Sequence, residues 1–254
     1  VSLSRKELDS FLKEILNPQE FQDYGPNGLQ IEGKETISKI AFAVSAQKHS
    51  VQTAVDNGAD CMIVHHGLFW KFHGTRTITG PFAKRVKPLI QNDINLFGYH
   101  LPLDAHIKYG NAAAIAKKIE LENLEPFGDY KGSPTGVKGQ FKRPISANDL
   151  EKKLEEVLDH KVLHSKPEGD MISSMGIITG GANSEWRLCL RENLDSYLTG
   201  EMSEHDWHES REDGIHMFAG GHNATEQFGI QEVMKLIESK FDVECFFISS
   251  ENPA

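Results

Sequence analysis

Short apolar runs separated by segments of helical periodicity decide what this chain can fold into. IAFAV (40–44), CMIV (61–64), INLFGY (94–99) and MGIIT (175–179) are strand-like, and DSYLT (195–199), HMFAG (216–220) and VECFFI (243–248) extend the series. HSVQTAVDNGA, GPFAKRVKPLIQ and GNAAAIAKKIE lie between such runs and have helical spacing. Strands alternating with helices predict an α/β fold with largely parallel or mixed sheets. The stretch around 125–170 is rich in Gly and Pro, with one helix expected near 147–158, and reads as a connector. The expected organisation is a first α/β lobe over 1–125, a connector over 126–170 and a second α/β lobe over 171–254, with the lobes interlinked. Both lobes run strand, helix, strand, polar cluster, helix, strand, His, helix. Duplication accounts for this order, and so does the drift of α/β sequences toward one pattern. Either way, polar residues fall at the C-terminal edges of strands, where open α/β sheets hold their ligands.

Composition narrows the function classes. The 254 residues carry 37 Asp and Glu against 27 Lys and Arg, a formal net charge of -10. Such a chain is a poor non-specific binder of duplex nucleic acid, which needs Lys and Arg to neutralise phosphates. Nucleotides and a local basic pocket remain open. No 18-residue apolar run exists, so no membrane span is expected. Three scattered cysteines make neither a disulfide framework nor a Cys-based zinc site. Cys61 and Cys245 read as small buried hydrophobes. The N-terminal VSLSRKELDSFLKEIL lacks a signal-peptide core, and Leu8, Phe11, Leu12 and Ile15 recur at helical spacing. A cytoplasmic location is the expectation.

Three clusters carry candidate chemistry. His65, His66 and Gly67 close the run CMIV. Successive strand side chains point to opposite faces, so adjacent histidines approach one region only at a strand end, where glycine permits a turn. There they splay toward two neighbouring points, as a two-metal centre requires; a hydrogen-bonded pair at a strand end fits the dipeptide as well. His222 and Glu226 stand four residues apart, one turn of a helix expected to begin near Asn223, and so face the same way. That pair suits zinc, iron or manganese, although a capped helix with a surface Glu gives the same spacing. In HLPLDAH (100–106), Pro102 predicts a rigid extended loop. Asp104 there offers a hard oxygen ligand, or a helix cap. His100 or His106 is a ligand, a partner to one, or a proton carrier.

Together His65, His66, Asp104, His222 and Glu226 supply three imidazoles and two carboxylates. A bridging Glu226 would hold two divalent ions about 3.5–4 Å apart. With Asp104 and His65 on one ion and His66 and His222 on the other, open positions remain for water. Two such ions and two carboxylates leave a net positive site, which favours an anionic or carbonyl-bearing small molecule.

The segments YGPNGLQ (24–30), IVHHG (63–67), YHLPLDAH (99–106), TGEMSE (199–204) and GHNATE (221–226) resemble the Ngg-one-interacting-factor-three-like family, in order and over nearly the whole chain. These proteins are also called dinuclear metal centre hexameric proteins, or GTP cyclohydrolase type-two-like proteins, and the chain is similar to their short bacterial form. The resemblance implies two similar α/β lobes with mixed sheets and a metal-binding cleft between them, assembled as a toroidal homo-hexamer. It implies two divalent ions per chain on His65, His66, Asp104, His222 and Glu226, with Glu226 bridging and His100 beside the site.

The remaining candidates each have two readings. Thr179-Gly180-Gly181 offers backbone amides to an anion, or is a plain tight turn. Glu201, Glu204 and His208 line the cleft as acid, base or substrate contacts, or face solvent. Asn27 and Gln30 orient substrate, or cap a turn. His49, His73, His160, His164 and His216 have no constellation and read as surface or structural residues. The reading that follows is a metal-dependent hydrolase in which ions lower the pKa of water and polarise an oxygen of the substrate. On a GTP-like substrate this means attack at the purine C8, ring opening and release of formate; a phosphoester or amide uses the same ligands. His100, Glu204 and His208 are the proton-transfer candidates, and Asn27, Gly181 and Glu201 the substrate contacts. The rival is a hexameric metal-binding scaffold or regulator without turnover. A dinucleotide enzyme is excluded by the absence of a strand-linked GxGxxG. Imidazole and carboxylate suit zinc, iron, manganese and nickel alike.

Overall fold

A computed structural model describes residues 3–254. Val1 and Ser2, at the head of the expected N-terminal helix, lie outside the described residues. The chain opens with β1 (Leu3–Ser4) and α1 (Arg5–Leu16). Ser4 caps α1 by accepting the Glu7 N–H, Asn17 ends it in the left-handed region at φ 44°, and Leu8, Phe11, Leu12 and Leu16 are buried. Then come β2 (Gly28–Ile31), β3 (Thr36–Ile37), β4 (Lys39–Ser45), α2 (Lys48–Asp56), β5 (Cys61–His66), α3 (Gly80–Gln91) and β6 (Asn95–Gly98). The middle holds α4 (Leu101–Ala105), α5 (Asn111–Lys118), β7 (Leu121–Phe127), β8 (Gly136–Ser146), α6 (Ala147–Leu158) and β9 (Leu163–Ser165). The last part is β10 (Met171–Ile177), α7 (Arg187–Glu192), β11 (Ser196–Thr199), α8 (Glu204–Glu212), β12 (His216–Ala219), α9 (His222–Lys240) and β13 (Glu244–Ile248). Among the described residues no helix is long and apolar enough to cross a membrane.

The chain divides into two compact units, one made of residues up to Leu103 with Ile230–Glu251, the other of Asp104–Gly229 with Asn252–Ala254. In the first, the sheet order is β13-β4-β5-β6-β2, with the first four strands parallel and β2 antiparallel to β6. Alternate residues serve opposite faces. Ile40, Phe42, Cys61, Ile63 and Phe97 pack with α1 and with Ile230, Val233 and Ile237. Ala41, Ala43, Met62, Val64 and Leu96 pack with Val51 and Ala54 of α2 and Phe82, Val86 and Leu89 of α3. A sheet covered on both faces explains why IAFAV and CMIV are continuously apolar. Each fully buried Phe or Ile contributes about 1.5–3 kcal/mol relative to exposure. Cys245 is only half-buried, because β13 is an edge strand.

The second unit has the order β7-β8-β10-β11-β12-β9, in which only β10, β11 and β12 are mutually parallel. Leu198 and Phe218 face α5 and α6 through Ile115, Leu150 and Leu154, while Tyr197 and Met217 face Trp186 and Cys189. The fold is mixed α/β with mixed sheets, as expected. β4-β5-β6 and β10-β11-β12 repeat one arrangement, three neighbouring parallel strands in chain order. The division differs from the boundaries read at 125 and 170. Residues 126–170 supply β8 and β9 to the second unit's sheet and α6 to its core instead of forming a connector. The glycines there serve close packing: a Cβ at Gly136 would lie 1.9 Å from the Ile177 carbonyl oxygen, and one at Gly139 2.6 Å from that of Glu122.

Candidate metal centre

In the first unit, β5 runs through His65 and His66 themselves, so the histidines are its last two residues rather than a turn after it. Strand register sets their partners. His66 stands opposite Ser45 of β4, and the Ser45 hydroxyl lies 3.0 Å from His66 Nδ1. His65 is fully buried, and its Nδ1–H donates to the Tyr99 carbonyl at 3.0 Å. The two rings sit 4.6 Å apart by centroid, tilted 41°. His100 follows β6 and joins them, 5.2 Å from His65 and 5.7 Å from His66. One ring nitrogen from each of the three lies within 4.8 Å of the others.

His100 is held by a residue that nothing local in the sequence singles out. Asp23, 5% exposed, accepts His100 Nδ1–H at 2.7 Å, the Tyr24 N–H at 2.6 Å, the Leu101 N–H at 2.8 Å and the Asn27 amide at 2.9 Å. Burial raises the Asp23 pKa, but the bond and charge of His100 and the other donors outweigh it and hold the carboxyl below its usual range. Asn27 Oδ1 in turn accepts the His100 backbone N–H at 2.8 Å, so Asn27 positions His100. Gln30 accepts the Leu68 N–H and donates to the Pro26 carbonyl. Its amide occupies the space that a Cβ at Gly67 or Gly98 would need, at 2.3 and 2.7 Å.

In the second unit, Asp104 and Glu226 are buried carboxylates, 5% and 2% exposed. Asp104 lies in α4, not in an extended loop. Pro102 sits in that helix's first turn, where a missing N–H costs nothing and the fixed φ suits the helix. Asp104 Oδ1 accepts from Asn111 Nδ2 and from the Thr179 hydroxyl, both at 2.9 Å. α9 begins at His222, one residue earlier than expected, and His222 Nε2 lies 3.2 Å from Glu226 Oε2 one turn on. His222 Nδ1–H donates to Glu201 at 2.5 Å. Burial lowers the His222 pKa, yet the bonds and charges of Glu226 and then Glu201 overcome it and raise it to about 9.

Gly180 makes room for this pair. It sits at φ +69°, its N–H donates to Thr225 Oγ1, and a Cβ there would meet Glu226 Oε1 at 2.1 Å. Gly180→Ala is therefore expected to lower stability by about 1–3 kcal/mol and to push the Glu226 carboxylate aside. A lower thermal midpoint with intact far-UV circular dichroism checks this; an unchanged midpoint counts against it. Gly181 lies in ordinary contact with Glu201 and His222, where a Cβ would stand 3.4 and 3.5 Å away.

Other candidates fall elsewhere. Glu204 and His208 bond to each other at 3.1 Å on the exposed face of α8. His106 Nδ1 accepts the Lys108 and Tyr109 N–H groups and caps a turn. His164 and His216, expected to have no constellation, are bonded to each other at 3.1 Å, with Glu151 2.9 Å from the far nitrogen of His164.

The donor set fits a divalent cation. The Nδ1 of His65, His100 and His222 donates to a carbonyl or carboxylate oxygen, and that of His66 meets a hydroxyl. For His65 and His100 an oxygen acceptor on Nδ1–H leaves Nε2 as the nitrogen able to ligate, the arrangement found in metal-ligating histidines. The chain thus carries residue clusters able to hold a metal ion.

A family model described as Duf34/NIF3 (NGG1p interacting factor 3) matches residues 3–253. A protein of Pasteurella multocida named "GTP cyclohydrolase 1 type 2 homolog" is 41% identical over 249 residues, covering 98% of each chain. A solved structure described as "Structural genomics, protein ybgI, unknown function" superposes with a TM-score of 0.91 at 38% identity, covering 99% of this chain and 100% of that one. The crystal structure of TTHA1606 from Thermus thermophilus gives 0.90 at 30% identity, with the same coverage.

Proposed function

Because the chain belongs to the Duf34/NIF3 (NGG1p interacting factor 3) family, we propose that it is a divalent-metal-dependent hydrolase acting on a nucleotide or another phosphorylated small molecule. GTP is the first substrate to try, from the names of the relatives. The observation that carries the reading is the cluster of His65, His66 and His100, one ring nitrogen of each within 4.8 Å of the others, with an oxygen partner at Nδ1 of every ring. The proposed ligands are His65, His66, Asp104, His222 and Glu226, for two ions per chain, with Glu226 bridging. A homo-hexamer in the cytoplasm is part of the same proposal.

Bound divalent ions would lower the pKa of water and polarise an oxygen of the substrate. The chain's own residues supply the rest. His100, with Nδ1–H held by Asp23, keeps Nε2 to take or give a proton, the division of labour seen wherever a buried carboxylate orients a catalytic imidazole. Glu201 fixes the His222 ring, and Asn111 and Thr179 aim Asp104. Glu204 and His208, paired with each other in solvent, are not given the proton-transfer role.

Metal content per chain, measured by mass spectrometry on untagged protein, tests the proposal. About two equivalents are expected in the parent, falling in His66→Ala, followed by release of formate or phosphate from GTP or another nucleotide. No metal after reloading under reducing conditions overturns the reading. Full metal loading without turnover on any nucleotide or phosphoester leaves a metal-binding scaffold instead.

A further inference from the structure

The segment that follows the β5 histidines is electrostatically unlike the rest of the chain. Residues 61–92 contain five Lys or Arg and no Asp or Glu, in a protein of net charge -10. The same segment exposes aromatic rings. Phe72 is 69% exposed and Phe69 37% exposed. Trp70 is pinned by its indole N–H, which donates to the Gly67 carbonyl at 3.2 Å. One side of the indole abuts the histidines, with ring centroids 5.1 Å from His100 and 5.9 Å from His66. Phe72 stacks on it at 5.6 Å and 18°.

A cation stands beside this stack. His73 packs edge-on to Phe72 at 4.7 Å, and its Nδ1 lies 3.0 Å from Arg76 Nη1. The Arg76 guanidinium is itself laid over Phe82, 3.9 Å from the ring centre. Two stacked rings, one of them anchored and the other mostly in water, make a platform for a planar π-system. A guanidinium at its side and a stretch of chain without Asp or Glu add attraction for phosphate.

We propose that Trp70 and Phe72, with Arg76 beside them, form the recognition element for an aromatic base that carries phosphate. This deepens the hydrolase reading and rests on it for what the neighbouring histidines do to the bound molecule. Binding itself does not depend on metal.

Isothermal titration of the full chain with GTP, guanosine and inorganic triphosphate, metal-loaded and after chelation, tests it. Phe72→Ala is expected to weaken GTP and guanosine alike by about tenfold, the loss of one stacking contact, and Phe72→Tyr to restore both. Arg76→Ala is expected to weaken GTP, spare guanosine and flatten the salt dependence. Metal content should be the same in all variants. Failure of GTP to bind the parent at millimolar concentration, or parental affinity in Phe72→Ala, overturns the proposal. So does a Phe72→Ala variant that binds GTP normally but changes the mass of the assembly by light scattering, since the rings are then a contact between copies. Absence of metal with the expected nucleotide pattern would leave the platform standing and remove the hydrolase.

Discussion

Glu226→Gln is expected to fold as the parent does and to bind divalent metal at least about 100-fold more weakly. The substitution keeps volume and one carbonyl oxygen, so packing at this buried position, 2% exposed, should persist. What it removes is the negative charge proposed to bridge two cations. Losing a partner that merely supports a ligand costs about 10–100-fold in metal affinity, so losing a ligand lies at or above that range. Competition against a chromophoric chelator measures the affinity, and far-UV circular dichroism with the thermal midpoint reports the fold. Parental affinity in a cooperatively folded Glu226→Gln variant would remove this residue from the ligand set. Asp104→Asn is the companion, because Asn111 and Thr179 can still donate to its side-chain oxygen.

Acidification is expected to destabilise the second unit through His164 and His216. His216 on β12 is 4% exposed. Burial first, and then the neighbouring His164 and Lys166, lower its pKa to about 4, against the opposing charges of Asp170 and Asp195. His164 is also lowered by burial, with Glu151 on α6 pulling the other way. Burial thus disfavours charge on both rings, and for His216 between about pH 6.5 and pH 4 the native state binds fewer protons than the unfolded chain. The His216 contribution is fully present above about pH 6.5 and is lost as pH falls toward 4. For His216 alone this is about 3 kcal/mol. Denaturant titrations at about pH 7 and about pH 4.5, with hydrogen exchange in β9 and β12, should show the loss in the parent and a flatter profile in His216→Gln. Identical pH profiles would mean that the imidazole pair does not govern acid stability.

The parts of the fold legible in the sequence are those with one dominant period. β4 and β5 can be read because a strand covered on both faces must be apolar throughout. The His222 and Glu226 relation can be read because helical spacing alone puts them on one side. What escapes depends on partners distant in sequence. Asp23 meets His100 across 77 positions, and nothing local marks it as the acceptor of four donors. The pairing of His164 with His216 exists only because β9 lies antiparallel to β12. β8 looks like connector because glycine has two uses: Gly136 and Gly139 allow close strand approach, whereas the same residues in a loop signal flexibility. Pro102 misleads for a related reason, since proline breaks a helix interior but is welcome at its start.

The edge strands have a bearing on how copies of this chain can meet. β9 is three residues long. β7 shifts register between Glu122 and Glu125, where Asn123 turns to φ 55°. β2 shifts between Leu29 and Ile31, and on β13 Glu244 is tied to Lys39 of the neighbouring strand. Short, kinked or charged borders of this kind are poor templates for backbone pairing with another molecule. Any ring or stack built from this chain is therefore expected to be glued by side-chain surfaces, which single substitutions can loosen, rather than by a continuous sheet running from subunit to subunit.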